Sequence, residues 1–272
     1  MNKNQALTFL CVALLTTCLA ITASAEDGKY PYRGDYPGIN TVETHELKAG
    51  LDAGEYIVID ARSKLEYDVI HVEGAQHVAV SKKTFEAKLK DIVAANPGKK
   101  FAFYCNGITC LKSYKAAKKA SEAGFKDVYA YDAGIPEWAN MYPKETQLLG
   151  KAITNPETQL LTKAQFKERT LAWSYFESAA AGDGVMIIDL RDKYQASAGL
   201  PGMQSARNIP LDVFIPNFVA KKANQDKTLL IFDQVGKQVK WLQYYLEEYG
   251  YKNYMFLEGG ATSVLKKQDY RS

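Results

Sequence analysis

The sequence has few residues of the kinds that build metal sites or disulfide scaffolds. Its 272 residues include 4 cysteines and 3 histidines. His45, His71 and His77 show no ligand-like spacing to the cysteines, so we expect no metal ion and no other cofactor. The cysteines are also too few to staple a fold of this length, which makes a chemical role for them more plausible than a cross-linking one.

The chain also lacks a block of like charges. Lys and Arg together number 34, Asp and Glu together number 31, and neither sign is concentrated in one segment. Proteins that bind nucleic acid or an anionic membrane surface usually cluster their basic residues. We therefore expect no nucleic acid partner.

An apolar run at the N-terminus has the features of an export signal. Lys3 precedes an uncharged stretch from Leu7 to Ala20, and Ala23-Ser24-Ala25 is a small-residue cleavage site. The stretch is short for a membrane span. We predict that residues 1–25 are a signal peptide, that the mature protein is periplasmic or secreted, and that it has no stable membrane insertion after cleavage. An uncleaved anchor is the alternative.

Cys105 occupies a position that favours a reactive thiolate. Signal cleavage would leave only Cys105 and Cys110 in the mature chain. Cys105 ends the strand-like run from Phe101 to Tyr104 and opens a loop before a helical segment. Such a loop gathers free backbone N–H groups and the positive end of a helix dipole, and this setting lowers the pKa of a thiol. We expect a ring of N–H donors around the Cys105 sulfur.

The remainder of the chain repeats itself. The run Tyr56–Ile59 leads into Asp60-Ala61-Arg62, and Val185–Ile188 leads into Asp189-Leu190-Arg191. A second apolar run ends at Cys105 in one copy and at Asp233 in the other. The segment between the end of this run and the next shared glycine is two residues shorter in the second copy. Landmarks that recur in one order indicate a duplicated domain.

Short β-branched and aromatic runs alternate with longer helical segments in both copies. The segments predicted as helices are Lys82 to Ala95, Leu111 to Ala123, Lys163 to Ala179 and Val239 to Tyr249. This alternation predicts an α/β fold in which each copy is a largely parallel sheet flanked by helices. The predicted boundaries are 36–146 for the first domain, 147–158 for a linker and 159–272 for the second domain.

Short motifs in both copies have the order and spacing of a known family. They are Asp60-Ala61-Arg62, Glu66-Tyr67, His71-Val72-Glu73-Gly74-Ala75, the Cys105 loop, Gly124-Phe125 and Ala133-Gly134-Ile135-Pro136-Glu137-Trp138 in the first copy, and Asp189-Leu190-Arg191, Ala206-Arg207-Asn208-Ile209-Pro210 and Glu258-Gly259-Gly260 in the second. With these motifs the chain resembles the rhodanese family of sulfurtransferases, as a tandem pair of domains. Members with two such domains usually keep the cysteine in the second copy, whereas here it stands in the first.

The resemblance implies a sulfurtransferase. Cys105 would take a sulfane sulfur from a small anionic donor such as thiosulfate, hold it as a persulfide and pass it to a thiophilic acceptor such as cyanide or a thiol. Lys112 stands in the place of an arginine that is frequent in the family. The residues implied to bind the substrate are Asn106, Gly107, Ile108, Thr109, Cys110, Lys112 and Ser113.

Asp233 replaces the cysteine in the second copy. A carboxylate cannot carry sulfur, and we expect it to be unfavourable in a loop that binds anions. The second copy is therefore predicted to be catalytically silent.

Two other functions fit the same residues. In the first, Cys105 and Cys110 form a dithiol that exchanges with client disulfides and is reset by a thiol-reducing protein partner. That requires α-carbons within about 7 Å of each other, and otherwise Cys110 is a helix-entry residue with no role. In the second, the chain is a binding module that kept the fold and lost the chemistry.

His71 and the Asp60–Arg62 pair are predicted to be structural.

Overall fold

A computed structural model describes residues 28–269 of the protein. The predicted signal peptide, residues 1–25, lies outside the described residues. Within them, two α/β domains follow one another along the chain, and a small antiparallel sheet lies between them in sequence.

The first domain consists of short strands that alternate with helices. In chain order its elements are β1 (Asn40–Thr41), α1 (Thr44–Asp52), β2 (Tyr56–Asp60), α2 (Lys64–Val69), β3 (Ile70–Val72), β4 (Gln76–His77), α3 (Phe85–Ala95), β5 (Lys100–Tyr104), α4 (Lys112–Glu122), β6 (Val128–Tyr131) and α5 (Gly134–Met141). Five strands form one sheet in the order β1-β6-β5-β2-β4, and each neighbouring pair is parallel.

The central strand β5 is buried on both faces. Phe101 and Phe103 pack with side chains of α3 and α4, whereas Ala102 and Tyr104 pack on the opposite face with side chains of α1, α2 and α5. Successive side chains of a strand point to opposite faces, and a parallel sheet covered by helices therefore needs a continuous apolar run. The domain is consequently a three-layer sandwich with the sheet in the middle.

The segment between the domains is more ordered than a simple linker. It contains β7 (Thr146–Leu148), β8 (Lys151–Ala152) and α6 (Pro156–Gln159). β3, β7 and β8 form a three-stranded antiparallel sheet. Part of the predicted linker, residues 147–158, is thus hydrogen bonded to the first domain.

The second domain repeats the arrangement of the first. Its elements are α7 (Lys163–Glu168), β9 (Thr170–Leu171), α8 (Trp173–Ala180), β10 (Val185–Asp189), β11 (Arg207–Asn208), α9 (Leu211–Phe214), β12 (Thr228–Phe232), α10 (Gln238–Glu248), β13 (Tyr254–Leu257) and α11 (Gly260–Asp269). Its strands lie in the order β11-β10-β12-β13-β9, again all parallel. The predicted fold class, two α/β domains with parallel sheets, is confirmed.

The prediction of a single helix from Lys163 to Ala179 is wrong. The chain forms α7, then strand β9, and then α8. Thr170 and Leu171 pair with β13 at the edge of the sheet, as β1 pairs with β6 in the first domain. Pairing with β13, a strand far along the chain, outweighs local helical propensity here. The sequence pattern of the segment alone does not reveal this pairing.

Helix α10 of the second domain also contacts the first domain. Trp241, Tyr244 and Tyr245 pack against the core of the first domain, while Leu242 is buried in the core of the second. Residues three and four apart share one face of a helix, so α10 presents an aromatic face to its neighbour. Among residues 28–269, no helix is long and apolar enough to cross a membrane.

Candidate active site

The loop after β5 lies at the carboxyl edge of the first sheet. β2 and β5 are aligned so that Asp60 lies beside Tyr104, the residue before Cys105. The loop runs to Lys112, where α4 begins, and no side chain caps this helix start. Loops at this edge of a parallel sheet are where α/β proteins commonly bind ligands.

A buried ion pair supports the start of the loop. Arg62 and Asp60 are both fully buried, and Arg62 Nε donates to Asp60 Oδ1 at 2.9 Å while Nη2 donates to Oδ2 at 2.6 Å. The Tyr104 hydroxyl donates to the same carboxylate at 2.7 Å, and Arg62 Nη1 donates to the side-chain oxygen of Asn106 at 3.1 Å. A buried charge pair is tolerated only when its remaining donors and acceptors are satisfied. The pair therefore fixes the position of Asn106, next to Cys105.

Glu66 supports the far end of the loop. It forms a capping box with Ser63 at the start of α2, accepts from Asn106 Nδ2 at 2.5 Å and lies 3.0 Å from Lys112 Nζ. Burial by itself would raise the pKa of Glu66, but the hydrogen bonds from Ser63 and Asn106 and the charge of Lys112 outweigh it and lower the pKa to about 2. Glu66 is thus an ionised group that ties both ends of the loop to α2.

The Cys105 sulfur points into the protein. Its side chain is 0% exposed, its thiol donates to the backbone carbonyl of Cys110 at 3.1 Å, and it lies 3.6 Å from Ser113 Oγ. Burial raises the pKa of Cys105 well above its usual range, and the neighbouring Cys110 adds to the effect, although hydrogen bonds from Ser113 oppose it. This environment favours the thiol form of Cys105 over the thiolate.

The Cys110 sulfur has the opposite character. Cys110 is partly exposed, and its own backbone N–H donates to the carbonyl of Gly107 at 2.8 Å. The neighbouring Cys105 lowers the pKa of Cys110 to about 6, against the effect of burial, and the backbone at Lys112 and Asn106 and the charge of Lys112 contribute in the same direction. The Cys105 sulfur, by contrast, contacts a carbonyl oxygen and the Ser113 hydroxyl and not the expected ring of N–H donors.

The equivalent loop of the second domain encloses a carboxylate. Asp233 is buried, and its Oδ1 accepts from the backbone N–H of Val235 at 3.0 Å and from that of Gly236. Its Oδ2 accepts from the N–H of Gln238 at 2.5 Å and of Val239 at 3.2 Å. Our expectation that a carboxylate is unfavourable there was wrong: an ionised side chain of the right length satisfies backbone donors that would otherwise lack partners.

The two loops differ in length by two residues. α4 begins seven positions after Cys105, whereas α10 begins five positions after Asp233. The extra residues predicted for the first copy therefore lie in the loop itself. They place a second cysteine, Cys110, within the loop of the first domain.

Glycines at the start of α5 and α11 hold the two loops in place. Gly134 has φ +65°, and a Cβ there would lie 2.5 Å from the Cys105 carbonyl oxygen and from the Gly107 nitrogen. The next residue, Ile135, donates its N–H to the Cys105 carbonyl at 2.9 Å. Gly260 makes the same close approach to the Asp233 loop. A side chain at either position would displace the loop backbone.

Comparison with known proteins agrees with this duplicated architecture. The family model for the rhodanese-like domain matches residues 43–141 and again residues 173–267. The chain belongs to the rhodanese-like domain family. Both domains are therefore rhodanese-like, as the sequence motifs indicated, and the tandem arrangement is confirmed.

Individual relatives match one rhodanese-like domain at a time. The chain is 29% identical over 101 residues to the probable adenylyltransferase/sulfurtransferase MoeZ of Mycobacterium tuberculosis, covering 37% of this chain and 24% of that protein. It is 34% identical over 95 residues to a tRNA uridine(34) hydroxylase of Cytophaga hutchinsonii, covering 35% of this chain and 30% of that protein. The matched part thus spans about a quarter to a third of the length of these relatives.

Solved structures with a similar fold have low sequence identity. A thiosulfate sulfurtransferase from Pseudomonas aeruginosa is 18% identical with a TM-score of 0.35, covering 83% of this chain and 44% of that one. The human single-domain sulfurtransferase TSTD1 is 23% identical with a TM-score of 0.32, covering 38% of this chain and 97% of that one. The family assignment therefore stands on the two family-model matches.

The predicted site residues are spread unequally around the loop. Cys105 and Ser113 are buried, Asn106 and Lys112 are engaged by Glu66, and Cys110 is partly exposed, while Gly107 is buried with φ +98°. Ile108, 39% exposed, and the exposed Thr109 form the tip of the loop.

Sequence reasoning did not assign roles at the site to Glu66 or Gly134. The pattern Ser63-x-x-Glu66 at a helix start is a capping-box signature, which could have placed a carboxylate near the strand ends. Nothing in the sequence pairs that carboxylate with Lys112, because the two residues meet only in the folded domain.

Two cavities among the described residues lie away from the Cys105 loop. One of about 430 Å³ lies in the second domain and is lined in part by Asp189, Lys193, Met203 and Phe232. The other, of about 510 Å³, lies beside the connecting segment and α10. Neither lining includes a residue of the Cys105 loop, and hydrogen-bonding geometry rather than cavity size identifies the site.

Substitution of Gly134 tests how closely α5 approaches the loop. Gly134→Ala should lower the free energy of unfolding by about 1–3 kcal/mol more than Gly124→Ala does. Both glycines have positive φ, but a Cβ at Gly124 has no atom within 4 Å, so that variant reports backbone strain alone. Urea unfolding measures the difference, and equal losses in the two variants would contradict the proposed close approach.

Substitution of Glu66 tests its charge. The pKa of Glu66 lies below the ordinary value of 4.5, so its ionisation stabilises the fold above pH 4.5, and this contribution is lost as the pH falls toward 2. We expect Glu66→Gln to cost about 2–3 kcal/mol near neutral pH. The cost should shrink steadily below pH 4.5.

Glu122→Gln is the matched control for this experiment. Glu122 is 67% exposed and lies 3.8 Å from Lys118, so its loss should change the free energy of unfolding by less than about 0.5 kcal/mol. Denaturant unfolding at a series of pH values checks both variants. If the loss of unfolding free energy in Glu66→Gln does not vary with pH, the negative charge of Glu66 does not account for it.

Proposed function

We propose that this protein is a sulfurtransferase. It takes a sulfane sulfur from a small anionic donor such as thiosulfate, holds it as a cysteine persulfide in the loop after β5 and passes it to a thiophilic acceptor such as cyanide or a thiol. The observation that carries the proposal is the pair of cysteines in a loop that runs from the end of the central strand into the uncapped start of α4.

The chemistry suits the electrostatics of the loop. The attacking group must be a thiolate, and the persulfide that results is also an anion. Fixed backbone N–H groups stabilise both charges without rearrangement. Family resemblance favours Cys105 as the sulfur carrier, and the partly exposed Cys110 lies in the same loop.

The donor and acceptor approach from the exposed side of the loop. Ile108 and Thr109 form its tip, and Lys112, 40% exposed, supplies a positive charge there. A flexible ammonium attracts an anion without selecting a planar geometry. We therefore expect tolerance among small anionic sulfur donors.

The second domain has a supporting role in this proposal. Asp233 already occupies its anion-binding loop and provides no nucleophile. The aromatic face of α10 packs against the first domain. Its Trp241 ring lies 5.8 Å from the guanidinium of Arg62, the residue that supports the start of the Cys105 loop. We further propose that the protein acts outside the cytoplasm, after removal of residues 1–25.

A thiol–disulfide exchange protein is the second candidate. The observation that favours it is the hydrogen-bonded proximity of Cys105 and Cys110, which would allow a disulfide after oxidation. In that case a thiol-reducing partner protein restores the dithiol. Mass spectrometry of the oxidised protein should then find the two residues linked, and Cys110→Ala should abolish exchange with client disulfides.

The direct test of the sulfurtransferase is single-turnover sulfur transfer. Wild-type protein, mixed with thiosulfate, should gain the mass of one sulfur atom and form thiocyanate when cyanide is added. The Cys105→Ser/Cys110→Ser double variant should lose this activity by about 10³-fold or more. Equal rates for the two proteins would reject the proposal, and an unmodified wild type would leave a non-catalytic binding module as the better description.

A further inference from the structure

A cavity of about 510 Å³ lies where the connecting segment meets the second domain. Its walls come from β7 and β8, from the chain between α6 and the end of α7, and from one face of α10. The volume is within the range of small-molecule sites in proteins. The lining includes no residue of the Cys105 loop, so a ligand bound here is independent of sulfur transfer.

A buried amide side chain in this lining has an unused acceptor. Gln243, on α10, lines the cavity and is 1% exposed. Among residues 28–269, no group donates a hydrogen bond to its side-chain oxygen. The single hydroxyl hydrogen of Tyr254 is donated to Glu247 and is therefore not available to Gln243. Because a buried amide oxygen without a donor is costly, a ligand that donates to Gln243 is favoured.

The two cations of the lining already have partners. Lys151 Nζ lies 2.7 Å from a carboxylate oxygen of Glu248. Arg169 donates from Nη1 to the backbone carbonyl of Lys252 at 3.0 Å. An anionic ligand would have to compete with these contacts, which makes the cavity poorly suited to an anion.

The lining also contains two further carboxylates, those of Glu168 and Glu247, and both residues are exposed. Together with Glu248, they make three carboxylates against the two cations, and the lining has a net negative charge. Ionised carboxylates only accept hydrogen bonds. The ligand that fits this lining is therefore positively charged and carries N–H donors.

Apolar side chains in the same lining favour an organic cation over a metal ion. Leu148, Leu149 and Leu161 all line the cavity. Within the part of the chain that the structure describes, no group of three or more His, Cys, Asp or Glu side chains is arranged to hold a metal ion. An alkyl chain attached to the cationic group can contact the leucines and remove apolar surface from water.

We propose that this cavity is a binding site for a small aliphatic primary amine in its ammonium form. One N–H of the ammonium donates to the side-chain oxygen of Gln243, and another donates to the carboxylate of Glu168 or Glu247. A primary ammonium has three donors and no acceptor, which matches a lining whose free groups are acceptors. Hydrogen bonds from a charged donor are also stronger than those from a neutral one.

An NMR titration of the wild-type protein with butylammonium tests the proposal at neutral pH. Butyltrimethylammonium, which has the same chain and charge but no N–H donor, is the matched control. Butylammonium should shift the side-chain amide signals of Gln243 and approach saturation, and the control should bind at least tenfold more weakly. Those signals are identified by their loss in Gln243→Leu. Equal binding of the two compounds, or no saturable shift with butylammonium, would overturn the proposal.

Variants of the lining test which groups hold the ammonium. Gln243→Leu removes the acceptor with little change in volume and should weaken butylammonium binding about tenfold or more, because a hydrogen bond to a charged donor is lost. Glu168→Gln removes one exposed charge and should weaken binding about threefold. Glu122→Gln, an exposed change outside the cavity lining, should leave the affinity unchanged. The backbone amide signals of α10 report binding in all three variants.

Thermal unfolding separates a binding role of Gln243 from a structural one. Without ligand, Gln243→Leu should unfold at a temperature no lower than that of the wild type, because the oxygen it removes has no donor within residues 28–269. Wild-type affinity in Gln243→Leu would overturn the site. The comparison of the two ammonium compounds in the wild type depends on no variant, so the proposal stays open to refutation if Gln243→Leu does not fold.

Discussion

The fold of each domain leaves backbone N–H groups close together at the end of its central strand, and these groups need hydrogen-bond acceptors. After β5 and after β12 the chain turns sharply into a helix, and the first amides of that helix have no partners within it. A buried amide without an acceptor is costly. The second domain meets the requirement with the Asp233 carboxylate.

Two additional residues change what one fold can do. The shorter loop of the second domain brings a side chain from the strand end itself into the centre of the amides. The longer loop of the first domain leaves the strand-end residue, Cys105, buried and adds Cys110, which is partly exposed. A carboxylate at the strand end accepts hydrogen bonds from the loop amides but provides no nucleophile, whereas a cysteine side chain can form a bond to sulfur. The two domains thus share one architecture but have different side chains in the equivalent loop.

The second domain contributes to the first through α10. Its aromatic face packs against the first core, and Lys240 on the same helix is half-buried, with its pKa lowered by burial and by Lys163 while the charge of Glu66 opposes that shift. Glu66 in turn anchors Asn106 and Lys112. The first domain, which carries the loop, is therefore packed against the second domain through α10.

The sequence by itself determined the duplication, the parallel α/β architecture and the loop in which the chemistry lies, because strand and helix periodicity and repeated motifs are local properties of the chain. It did not determine strand β9, which depends on pairing with β13. Only the tertiary structure decided that Asp233 is stabilised by its loop and that the Cys105 thiol is buried against the Cys110 carbonyl. Ionisation depends on the burial and the partners of a single atom, and those are set by residues such as Glu66 that are distant in sequence and adjacent only after folding.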